Sequence, residues 1–172
     1  MTTVNGLPAH ILLVHAVVVL LPLSALLLVL TACWPAARAR LAAPNAILSV
    51  LVVVLVPITT SAGEWLERRV PPSTLLHDHT ELGDNAIFYA IPIAVLALIV
   101  WWRDREARAT PDRRTWLAPL STAVTGVVAV LALVIGAAGV YGIYRIGDSG
   151  SKAAWTGSFS PAETSPRGPG HD

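Results

Sequence analysis

The sequence predicts an all-α polytopic membrane protein, a bundle of four transmembrane helices. Composition is the first observation behind this: 54% of the 172 residues are hydrophobic and only 13% are charged, which is the balance of a membrane protein and not of a water-soluble domain. The second is that four apolar stretches, at about 11–33, 42–63, 83–102 and 116–144, match the ~20 residues needed to cross a bilayer core. The third is that the charged residues gather in the segments between those stretches. A formal net charge of +1 gives no basic footprint for nucleic acid, so the lipid bilayer is the partner that the composition requires. Cys33 is the only cysteine, which rules out a disulfide within the chain and a thiolate metal cluster.

The first span carries no charge from Ile11 to Cys33. Leu30-Thr31-Ala32-Cys33 has the form of a lipoprotein cleavage box, but no Lys or Arg precedes Arg38 and the apolar run exceeds the about 7–15 residues of a signal core. The segment therefore reads as a retained span, stopped by Trp34, Pro35, Arg38 and Arg40. In the second, Pro44 is expected near the start and Pro57 in the outer third, where neighbouring helices can satisfy the freed backbone groups. The chain then changes character over residues 64–84, EWLERRVPPSTLLHDHTELGD, a polar loop expected to be capped by short helical turns, with five acidic residues and two histidines. The third span ends on Trp101, Trp102 and the linker RDREARATPDRR. Ala132, Gly136, Gly139 and Gly142 give the fourth a small-residue stripe of the kind that lets membrane helices approach closely. Residues 156–172 are rich in Pro, Gly and Ser and are expected to form a disordered tail, so His171 is discounted as a ligand; residues 1–155 form the transmembrane domain.

The segments joining spans one to two and three to four hold seven of the Lys and Arg residues, against two in the N-terminal tail and central loop and three in the C-terminal tail, of which Arg167 lies far from the membrane. The positive-inside rule then puts both termini and the central loop on the extracytoplasmic side of the cell membrane. That side receives four of the five histidines. His10 sits at the edge of the first span, and His15 is roughly 7 Å deeper at ~1.5 Å per residue. An ionisable ring within an apolar span is costly without a partner, which makes it a functional-site hypothesis by default.

Two imidazoles meeting across a bundle form the axial ligand set of haem b. Residues five apart on a helix differ by about 140° in direction, so one ring from each of the pairs His10/His15 and His77/His79 is the economical choice. The deeper rings, His15 and His79, come first, with His10 and His77 as the other members. A divalent metal ion is the competing reading: if the third helix starts near Leu75, His77, Glu81 and Asp84 share a helical face to which His10 could add from above, and imidazole with carboxylate suits zinc. The third reading is a non-enzymatic structural or partner-binding subunit whose histidines only hydrogen-bond between helices, with Thr60, Glu64 or Tyr141 as the expected partners. Transport draws no support, because no Lys, Arg, Asp or Glu lies near a span midplane, and no repeat of two halves is visible. Hydrolysis draws little, because Ser61 near Glu64 lacks a nucleophile-elbow motif. No catalytic residue is assigned. An electron-transfer or redox-accessory role, with a membrane redox partner or a homo-oligomer, follows from the cofactor readings.

Four stretches give a family resemblance: LPAHILLVHAVVVLLPLSAL (Leu7 to Leu26), VPITTSAGEWL (Val56 to Leu66), HTELGDNA (His79 to Ala86) and YRIGDSGSKAAW (Tyr144 to Trp155). Through them the first 155 or so residues resemble the bacterial membrane family called domain of unknown function 2231. Two departures are visible: Ile11 stands where such proteins often have Pro after the first histidine, and Asp148 where they often have a histidine. The resemblance implies four spans and, in some relatives, a link to haem or redox proteins; it brings no established activity.

The orientation has a direct test. Single cysteines introduced at Ser73 and Ala109 should be labelled by impermeant reagents from outside and from inside the cell respectively. Labelling in the reverse sense would turn the bundle over and move the histidines to the cytoplasmic face.

Overall fold

The computed structural model describes residues 3–4, 6–109, 115–117 and 119–157. Most of the expected tail, with His171, and residues 110–114 of the Arg-rich linker lie outside the described residues. A short antiparallel pairing, β1 (Thr3–Val4) with β2 (Leu7–Pro8), opens the chain. Gly6 in its turn has φ +80°, a left-handed conformation that favours glycine. Five helices follow: α1 (Ala9–Cys33), α2 (Pro35–Glu67), α3 (Thr74–Asp84), α4 (Ala86–Ala107) and α5 (Thr122–Trp155). Only Asn85 separates α3 from α4, and together they make one rod, so four rods are long and apolar enough to cross a membrane.

The helices run past the apolar stretches because polar residues continue the same backbone hydrogen bonding. At ~1.5 Å per residue the 34-residue α5 is roughly 51 Å long, well beyond a ~30 Å hydrocarbon core. The polar segment 74–84 is a helix for an identifiable reason: Ser73 caps it, accepting from the Leu76 N–H at 3.1 Å. Ser121 starts α5 in the same way through the Val124 N–H. Pro22, Pro44, Pro57 and Pro92 lie inside helices, as spans packed among neighbours allow.

In the bundle, α1 packs between α2 and α5, α4 packs between the same two helices on the other side, and α3 lies against the end of α5. The core runs through Leu21, Leu28, Val52, Val56, Ile93 and Ala132, all nearly inaccessible. The stripe of Ala132, Gly136, Gly139 and Gly142 on α5 faces inward. A Cβ on Gly136 would stand 3.3 Å from Val29, one on Gly139 2.8 Å from Ile93, and one on Gly142 would overlap the Tyr89 ring. Asn45 is a buried polar group that charge counting passes over. Its amide donates to the Ser24 carbonyl and accepts from the Leu28 N–H, both at 3.2 Å, so it brackets the backbone of α1 from α2.

Two arginines shape the opposite end from the histidines. Arg38 donates through Nε to the Thr31 carbonyl at 2.8 Å and through Nη2 to the Ala32 carbonyl at 2.6 Å. These are last-turn carbonyls of α1, which lack helical partners and carry the negative end of the helix dipole. The single extended residue Trp34 joins α1 to α2, and Arg38 closes that corner. Arg103, only 4% exposed, donates to the carbonyls of Leu117 and Pro119 and to Thr125 Oγ1. One turn on, Glu106 accepts the N–H groups of Trp116 and Leu117. The end of α4 thus clasps the segment leading into α5.

Enlarging the α5 stripe should force the helices apart. Gly139→Leu and Gly142→Leu should each reduce stability in detergent by roughly 1–3 kcal/mol, read as a lower thermal midpoint. Gly126→Leu should leave the midpoint unchanged, because a Cβ there meets nothing within 4 Å. Equal melting of the three variants would contradict the packing at positions 139 and 142.

Candidate functional site

Four helices converge at the end of the bundle that carries the α2–α3 loop, and two imidazoles lie among them. His10, in the first turn of α1, is half-buried and donates from Nδ1 to the Thr59 carbonyl of α2 at 3.0 Å. Gly63, one turn beyond Thr59, makes that approach possible: a Cβ there would stand 3.0 Å from both Cε1 and Nδ1 of the His10 ring. His79, on α3, is also half-buried, and its Nδ1 lies 3.0 Å from Ser149 Oγ on α5. Gly150 has the matching role, since a Cβ on it would come within 2.9 Å of His79 Cε1. The two ring centroids are 6.4 Å apart, with planes inclined at 71°.

Hydrogen bonding fixes the tautomer of each neutral ring. A carbonyl only accepts, so His10 Nδ1 carries the proton and Nε2 keeps a lone pair. With the Ser149 hydroxyl hydrogen directed to the Ile146 carbonyl at 2.8 Å, its oxygen accepts from His79 Nδ1–H, the tautomer that leaves a lone pair on Nε2. A ring whose other nitrogen donates to a carbonyl or hydroxyl is held in orientation, as metal-ligating histidines usually are. Both hydrogen-bond partners are neutral groups.

The geometry pairs His79 with His10 and leaves His15 apart. His15 is exposed on the outer surface of α1, with Nδ1 against the carbonyl of Ile11 on its own helix. This follows from the 140° offset: because α1 begins at Ala9, His10 is helical and faces α2, and His15 faces outward. His77 is exposed and lies 3.4 Å from Glu81 one turn along. Asp84 is exposed too, and among the described residues no group of three or more His, Cys, Asp or Glu side chains is placed to hold a metal ion. The face shared by His77, Glu81 and Asp84 therefore opens outward instead of closing on a site. Asp148, at the position where the resemblance leads one to expect a histidine, pairs with Lys152 at 2.7 Å, and the adjacent Ser149 makes the contact with His79.

Sequence reasoning missed Thr59, Gly63, Ser149 and Gly150. A signal was present. Each of the four stretches that carry the resemblance supplies a part: His10 from the first, Thr59 and Gly63 from the second, His79 from the third, Ser149 and Gly150 from the fourth. No spacing rule joins them, because the contacts bridge 49 and 70 residues of chain.

No curated protein and no solved structure matches the chain. A family model described as Predicted membrane protein (DUF2231) matches residues 6–160, a range that takes in all five helices and both members of the histidine pair. Four membrane-crossing rods and this match over most of the sequence give one conclusion: the chain belongs to the DUF2231 family of predicted membrane proteins.

Proposed function

We propose that this multi-pass membrane protein holds one transition-metal centre between His10 and His79, at the extracytoplasmic end of the bundle, in a redox-accessory role. The observation that carries the reading is the pair itself. Two imidazoles from different helices lie 6.4 Å apart between centroids, each anchored through Nδ1 and each keeping its Nε2 lone pair. Two metal–nitrogen bonds of about 2 Å, plus about 1 Å from each nitrogen to its ring centre, span roughly the same distance. A bare ion and the iron of haem b share this axial requirement. The extracytoplasmic placement rests on the charge bias of the loops, and a membrane redox partner or a second copy of the chain would be the electron donor or acceptor.

A specific observation also favours a second reading. The two hydrogen bonds tie α1 to α2 and α3 to α5, so the rings could serve as clamps and nothing more. Asparagine separates the readings, because its amide can donate to the same acceptor as Nδ1 while lacking the second ring nitrogen.

Protein purified after expression with haem and trace metals supplied should carry close to one equivalent of metal or haem. His10→Asn and His79→Asn should each lose it while melting near the wild-type temperature, and His77→Ala should retain it. A colourless wild-type protein without stoichiometric iron, zinc or copper would leave the clamp as the role of the pair.

A further inference from the structure

We infer that the centre between His10 and His79 is a two-coordinate cuprous ion. The inference rests on the metal-centre reading and narrows it to one chemical class. The first argument is ligand number. Beyond these two imidazoles, no third His, Cys, Asp or Glu joins the group among the described residues. Zinc in proteins takes at least three protein ligands, usually four in a closed site, and imidazole suits copper equally. Cu(I) shares the filled d shell of zinc but carries a single charge and is the weaker Lewis acid, so linear coordination by two imidazole nitrogens satisfies it.

The second argument is charge. Both ring partners are neutral, the Thr59 carbonyl and the Ser149 hydroxyl. Born desolvation grows with the square of the charge, so a divalent ion without an anionic ligand carries about four times the cost of a monovalent one of equal size. Because both Nε2 atoms already present lone pairs, binding Cu(I) releases no proton and needs no change of tautomer.

The third argument is room. A haem macrocycle belongs in a pocket of the 300–1,000 Å³ class, about the size that bound cofactors occupy. Neither of two cavities among the described residues is lined by His10 or His79. One of about 10 Å³ is at the opposite end beside Arg38 and Arg103, and one of about 380 Å³ is an open groove beside Pro72 and His77. A single ion needs only the gap between two nitrogens.

Anaerobic titration of the detergent-solubilised, metal-stripped protein with Cu(I), in competition with a chromogenic cuprous chelator, tests this. One Cu(I) per chain should bind, and His10→Asn and His79→Asn should each weaken binding at least tenfold. Ser149→Ala, which removes the Nδ1 acceptor of His79, should weaken it about 10–100-fold, whereas His15→Ala should match wild type. A protein that instead purifies with a Soret band lost in both Asn variants would overturn the cuprous assignment and preserve the metal centre. Tighter binding of zinc than of Cu(I) would do the same. Retention of no metal at all would overturn both.

Discussion

Helix approach at glycine sets the form of this bundle. Lipid is as apolar as a leucine side chain, so spans gain little from hydrophobic burial against one another and depend on close packing and on hydrogen bonds between helices. Gly139 and Gly142 let α5 come within contact of Ile93 and Tyr89 on α4, and Gly136 brings it against Ala25 and Val29 on α1. Gly63 and Gly150 use the same property differently. There the space left by the missing side chain is filled by an imidazole, which brings a polar group into contact with backbone that a Cβ would shield.

The polar groups inside the bundle follow from the same constraint. Each unsatisfied amide or carbonyl in hydrocarbon costs several kcal/mol, so buried ones find partners. Asn45 satisfies both ends of its amide on the backbone of α1, Thr31 returns its hydroxyl to the Leu27 carbonyl, and Arg38 takes the carbonyls at the end of α1. Ser49 Oγ is the buried side-chain atom without a partner among the described residues. Against this background the histidine pair stands out. Each ring uses Nδ1 to hold one helix to another, and the two rings lie 6.4 Å apart between centroids.

The four spans were legible because length and composition alone decide whether a segment can cross a bilayer. The confinement of His10, His15, His77 and His79 to one end was legible for the same reason. Which two meet was not. That depends on the helical start at Ala9, which turns His10 toward Thr59 and His15 outward, and on contacts between residues far apart in the chain. The helical state of 74–84 also lay beyond the apolar pattern: its polar sequence reads as loop, and the Ser73 cap with the nearly unbroken run into α4 makes it helix. Arg103 shows the opposite limit. Its charge reads as part of an interfacial belt, yet the clasp on Leu117 and Pro119 buries it.

The central claim is that the two rings share one ion through Nε2, and nitrogen-15 NMR of histidine-labelled protein tests it most directly. On Cu(I) loading, the Nε2 resonances of His10 and His79 should both shift while their Nδ1–H signals persist, with those of His15 and His77 unmoved. A proton on Nε2 of either ring in the metal-free protein, or a shift confined to one ring, would contradict the account.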